Sequence, residues 1–141
     1  FSRSRGLGDV YKRQDYMSEG LILLTNNGDY SRYLEHPSSN IERIYRVCIN
    51  NKVQNIDLRK INKGITIKEI SYKKIKVAFE KKIKNHTWLI FKLKEGKNRE
   101  IRNICNYFSW NIVKLIRIGY GPYKLGRLKE GQFQKLNSIS K

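Results

Sequence analysis

Acidic residues are scarce in this chain. Twelve Asp and Glu stand against thirty Lys and Arg, a formal charge of +18 over 141 residues. Such a balance suits a polyanionic partner, nucleic acid ahead of an anionic membrane surface. Long apolar runs are also missing. None approaches the roughly 20 residues that cross a bilayer, and no N-terminal series of basic, apolar and small residues marks an export signal. The expectation is a soluble, cytoplasmic protein with no membrane partner. Cysteine is nearly absent: Cys48 and Cys105 lie far apart, without a CxxC partner or a histidine cluster, and read as small buried hydrophobes in a reducing compartment. The two histidines, His36 before Pro37 and His86 in a polar turn, form no ligand set, so no metal is expected.

What is present allows one sizeable core. With 39% hydrophobic residues in 141, a single domain is the default. The charge is uneven: residues 1–50 carry seven basic and six acidic side chains, and residues 51–141 carry twenty-three and six. A cationic surface therefore belongs to the later part. The abundance of Lys, Asn and Ile is also what A/T-rich coding sequence produces without selection for binding.

Along the chain, residues 20–26 (GLILLTN) read as a short buried strand, followed by the turn Asn26-Asn27-Gly28 and a helix from Asp29 to Glu35 that His36-Pro37 stops. Residues 42–50 alternate as a strand. A helix around Val53 to Ile61 ends at Asn62-Lys63-Gly64 and leads to a small strand at Ile65 to Ile67. Residues 71–84 and 87–94 alternate around Asn85-His86 as a hairpin. In residues 97–110, Ile101, Ile104, Cys105 and Phe108 recur at i, i+3, i+4 and i+7, one stripe of a helix with Asn98 as N-cap. Residues 112–118 return to a strand that Gly119, Gly121 and Pro122 bend, and Gln132 to Leu136 offer a last one. The mixture of hairpins and scattered helices predicts an α+β fold.

Asp15 stands just ahead of the first apolar run, in a loop held against the sheet. A carboxylate there can serve as nucleophile or base, yet burial would push it towards its neutral form unless a cation compensates. Arg102, fixed on a helix, can supply a two-pronged partner. A structural salt bridge and a catalytic pair both fit these residue types, and the salt bridge is the commoner outcome. Tyr45 is either an ordinary strand aromatic or a ring for a base to stack on, which single-stranded or flipped nucleotides provide.

The strings "DYMSEGLILLTNNGD", "IERIYRVCI", "WLIFKLKEGKNREIRNIC" and "VKLIRIGYGPYKLGRLKEGQF" occur in that order across residues 15 to 136. Together they closely resemble the RsuA/RluB family of ribosomal RNA pseudouridine synthases, and "RYLEHPS", "EGKNREIRN" and "LIRIGYGPY" look more like its RluB branch, which modifies large-subunit rRNA. The resemblance implies the pseudouridine synthase catalytic fold, a mostly antiparallel mixed sheet with flanking helices. It implies an isomerase that breaks the N1-glycosidic bond of a uridine, turns the uracil and rejoins it through C5, without metal or other cofactor, acting as a monomer on ribosomal RNA. Asp15 falls on the family's essential aspartate, acting at C1′ or C2′ of the ribose; Tyr45 on the tyrosine that stacks on the flipped uracil; Arg102 on the basic residue that pairs with the aspartate. Leu115 matches the apolar residue under the base. Lys97, Arg99 and Arg117 look like phosphate or active-site support, and Asn98 and Arg13 fall with the RNA-binding positions.

The match stops before Asp15. The family usually reads Gly-Arg-Leu-Asp where this chain has Lys12-Arg13-Gln14-Asp15, so Arg13 agrees by position and Gln14 replaces an apolar residue. Residues 1–14 are expected to be a disordered or artefactual tail outside the family, and 15–141 a catalytic domain incomplete at its N-terminus. The competing reading is a non-catalytic basic RNA-binding or ribosome-assembly module. A nuclease or glycosidase would want clustered carboxylates or metal ligands, which the scattered acids do not supply.

Overall fold

A computed structural model describes residues 2–4, 19–23, 26–36, 39–72, 75–94 and 99–126. Its backbone forms β1 (Ser2–Ser4), β2 (Glu19–Ile22), α1 (Gly28–Glu35), β3 (Arg43–Ile49), α2 (Asn55–Lys63), β4 (Ile65–Ile67), β5 (Ile70–Tyr72), β6 (Lys76–Ile83), β7 (His86–Leu93), α3 (Glu100–Tyr107), β8 (Ile112–Tyr120) and β9 (Tyr123–Lys124). Seven strands make one sheet in the order β1-β2-β8-β3-β7-β6, with β9 on β8, while β4 and β5 pair separately. Every pair in the large sheet is antiparallel except β2 with β8. This is the α+β, mostly antiparallel mixed sheet that the sequence predicts.

The long β3, β7 and β8 run side by side because each alternates apolar residues that two faces can bury. One face carries Val47, Ile49, Leu89, Phe91 and Leu115 under Ile101, Ile104 and Cys105 of α3, with Ile61 of α2 in the same cluster. Burying each large aliphatic chain there contributes about 1.5–3 kcal/mol. The predicted helical stripe is therefore the buried one, with Phe108 packed at its edge. On the other face Leu21, Ile116, Tyr120 and Leu125 cluster with Leu34 of α1. Asn27 caps α1 by accepting a hydrogen bond from the Tyr30 amide at 3.1 Å.

Several local expectations change. The alternation of 71–84 suggested one strand, but the chain splits into β5 and β6. Lys68 and Glu69 both take positive φ (50° and 70°), a tight reversal that folds β5 back on β4 instead of β7. Edge strand β6 is then held by α2: the Asn62 side chain accepts from Val77 N at 2.9 Å and donates to Val77 O at 2.9 Å, doing for one rung what a neighbouring strand would do. α2 begins at Asn55, after Val53, and stops at Gly64 (φ 99) as the Asn-Lys-Gly signal predicts. The N-cap of α3 is Arg99, not Asn98; Asn98 lies outside the described residues, as does the strand expected at 132–136. β8 runs on to Tyr120 before Gly121 (φ 60) turns it. Residues 2–4, where the sequence shows no periodicity, run antiparallel to β2.

Candidate active site

Tyr45 lies mid-strand in β3, its Cα in register with Phe91 of β7 and Arg117 of β8. A register shift between Ile44 and Tyr45 marks an irregularity beside it, a feature that re-aims side chains in functional strands. The half-buried Tyr45 ring packs on the cluster that holds Leu115, and Leu115 is buried two residues before Arg117. α3 closes the same cluster through Ile101, Ile104 and Cys105. Arg102 sits between these, off the apolar stripe, and its Nη2 is shut off from water. Burial pushes the Cys105 thiol up to about 12, while the nearby Arg102 charge pulls the other way. Tyr45, Leu115 and the helix that carries Arg102 thus share one packed core.

Arg117 faces inward. Its Nε and Nη2 donate to Leu21 O at 3.0 and 2.6 Å, and its guanidinium lies 4.9 Å from the Tyr120 ring centroid. Arg43, buried, lies at the same distance from that ring and donates to Tyr120 Oη at 3.2 Å and Leu34 O at 3.4 Å. These bonds tie β2 to β8, and β3 to β8 and α1. Gly20 makes the closure possible: with φ +117, a Cβ there would sit 2.3 Å from the Arg117 carbonyl oxygen. Sequence reasoning passed over Gly20, Arg43 and Tyr120. The glycine between Glu19 and an apolar run was the available signal for close strand approach, whereas nothing local marks Arg43 as buried.

Of the predicted site residues, Tyr45, Leu115, Arg102 and Arg117 fall on these neighbouring elements. Arg99 is exposed at the start of α3, and Arg102, three residues on, is partly buried. Asp15, Arg13, Lys97 and Asn98 lie outside the described residues.

Residues 9–107 match the family described as RNA pseudouridylate synthase. The chain belongs to that family. The pseudouridylate synthase match opens inside the stretch 1–14 and takes in β2, β3, β7 and α3. An uncharacterized RNA pseudouridine synthase of Rickettsia felis is 41% identical over 140 residues, covering 98% of this chain and 61% of the relative. The ribosomal large subunit pseudouridine synthase B of Buchnera aphidicola subsp. Schizaphis graminum is 38% identical over 130 residues, 90% of this chain and 51% of the relative. A crystal structure of a pseudouridylate synthase superposes with a TM-score of 0.75 at 22% identity, covering 86% of this chain and 53% of that one, and so shares its fold. The chain spans between about half and three-fifths of the length of these relatives.

Proposed function

We propose that this pseudouridine synthase family member isomerises one or a few uridines of ribosomal RNA to pseudouridine, with the large-subunit rRNA as substrate. The observation that carries the reading is the family match over residues 9–107, which includes Asp15, Tyr45 and Arg102. A curated relative named for the large ribosomal subunit, 38% identical, favours that rRNA. The +18 charge supports a polyanionic substrate, and no helix among the described residues is long and apolar enough to cross a membrane. We read the protein as a cytoplasmic monomer.

In this reading the target nucleotide leaves its stack at a cost of a few kcal/mol, and stacking on Tyr45 recovers roughly 1–3 kcal/mol. Leu115 packs beneath the ring. The Asp15 carboxylate acts at the ribose, as nucleophile at C1′ or base at C2′, and Arg102 keeps it ionised and aimed. The N1–C1′ bond breaks, the uracil turns and bonds to C1′ through C5, the C5 proton leaves to solvent with Tyr45 assisting, and N1 takes a proton in its place. Arg117 holds β2 to β8, and Arg13, Lys97, Asn98 and Arg99 meet the RNA backbone.

RNA carrying tritium at uridine C5 tests this directly, because each turnover releases one tritium to water. Full-length protein should release it, and Asp15→Asn should stop release while RNA affinity stays nearly intact. Tight binding without release by the native protein would favour the non-catalytic RNA-binding module.

A further inference from the structure

A cavity of about 440 Å³ opens where β3 ends against the tip of the β6–β7 hairpin, lined by Asn50, Asn51, Lys52, Lys82, Asn85 and His86. Every one of those six side chains can donate a hydrogen bond, and none is acidic. The floor is fixed. Asn51 Oδ1 accepts from Asn111 N at 2.7 Å, its Nδ2 donates to Ser109 O at 3.4 Å, and its backbone oxygen accepts from Thr87 Oγ1 at 2.9 Å. Lys52, Lys82, Asn85 and His86 are exposed, and their side chains make no hydrogen bond or ion pair among the described residues.

The hairpin register aims one of these cations. An irregularity between Phe79 and Lys81 leaves Glu80 out of the ladder, so that Lys82 pairs with Thr87 and Lys81 with Trp88. Without that extra residue Lys81 would face Thr87 and Lys82 would move to the opposite face. The bulge thus places Lys82 beside Thr87, the residue that ties Asn51, while Lys81 goes to the Trp88 ring at 5.9 Å. Two cations and several amide donors around a rigid floor, with no acid lining it, match the doubly acceptor, singly charged oxygens of a phosphodiester.

We propose that this cavity seats backbone phosphates of RNA that flank the target nucleotide, a second contact remote from the reacting base; it rests on the reading of RNA as substrate. Asn50 lies five residues past Tyr45 along β3, about 16 Å at strand rise. At the axial rise of about 3.4 Å per nucleotide of a stacked duplex strand, that corresponds to on the order of five stacked nucleotides from the base on Tyr45.

The test measures RNA affinity against salt with full-length protein and its Lys52→Ala/Lys82→Ala variant. On an rRNA fragment reaching well past the target, the variant should bind on the order of tenfold more weakly and lose about 1.4–1.8 from its log–log salt slope, 0.7–0.9 per phosphate contact. KM should rise and kcat at saturating RNA should hold. A trinucleotide centred on the target should bind both proteins equally. Lys60→Ala/Lys63→Ala on exposed α2 positions removes the same charge elsewhere and should change the slope little. Equal losses in the two double variants, an unchanged slope in the first, or the same loss on the trinucleotide would each overturn the proposal. So would saturable binding of uridine monophosphate that only the cavity variant loses, since it would assign the cavity to a free nucleotide. Failure of the catalytic reading appears separately, as absent tritium release from native protein, and leaves the salt slopes interpretable.

Discussion

Gly20→Ala probes how the sheet closes behind the site. The added Cβ would lie 2.3 Å from Arg117 O and 2.6 Å from Arg117 N, and both are backbone atoms of the residue paired with Gly20 in the parallel β2/β8 ladder. No side-chain rotation relieves that contact. Holding an alanine at φ +117 costs about 1–3 kcal/mol of backbone strain, and forcing a methyl into a filled space adds about 1–3 kcal/mol. The sum, roughly 2–6 kcal/mol, corresponds to a fall in Tm of roughly 6–20 °C for a domain of this size. Gly126→Ala is the control. Gly126 also has positive φ (+55) but open space around a Cβ, so only the dihedral penalty of about 1–2 kcal/mol applies. Thermal and urea unfolding followed by circular dichroism would separate the two. A Gly20→Ala loss no greater than that of Gly126→Ala would refute the close β2/β8 contact, and with it the account of how Arg117 and Leu21 are held.

Asn62→Ala should cost about 2–4 kcal/mol, because it strips the Val77 amide and carbonyl and Leu58 O of partners at 2.9, 2.9 and 3.0 Å; hydrogen exchange should rise first in β6. Tyr120→Phe removes an oxygen that accepts from Arg43 and donates to Leu34 O, for an expected loss of about 1–3 kcal/mol in urea unfolding. The Cys105 thiol is raised from 9.0 to about 12 by burial. A raised folded value means its contribution is complete below pH 9 and is lost as pH climbs to about 12, up to about 4 kcal/mol. Wild type should therefore lose stability relative to Cys105→Ala across that window, and a constant difference from pH 8 to 12 would contradict the burial. Tyr45→Ala should abolish tritium release, and a retained rate would move the stacking role elsewhere.

Periodic elements were legible before the structure. The stripe Ile101, Ile104, Cys105 of α3 and the alternation of β3 and β7 are set by which residues must leave water, and that pattern is written locally. The split of 71–84 was not, because Ile70–Tyr72 and Lys76–Ile83 alternate alike, and only the paired positive φ of Lys68 and Glu69 sends the first to β4. Arg43 shows the same boundary: its cation is buried only because Tyr120, 77 residues later, and the Leu34 carbonyl converge on it. Tyr45 and Arg102 stood out by resemblance to a family, and residue types alone left them open between packing, salt bridge and chemistry.

The proposal that the protein, through Asp15, makes pseudouridine in ribosomal RNA has one direct test. Chemical mapping of pseudouridine in large-subunit rRNA, from cells lacking the gene and from the same cells complemented with the full-length gene or its Asp15→Asn form, tests it most directly. One or a few positions should lose the mark in the deletion, regain it with the wild-type gene and stay bare with Asp15→Asn. An identical map in all strains, or restoration by Asp15→Asn, would contradict it.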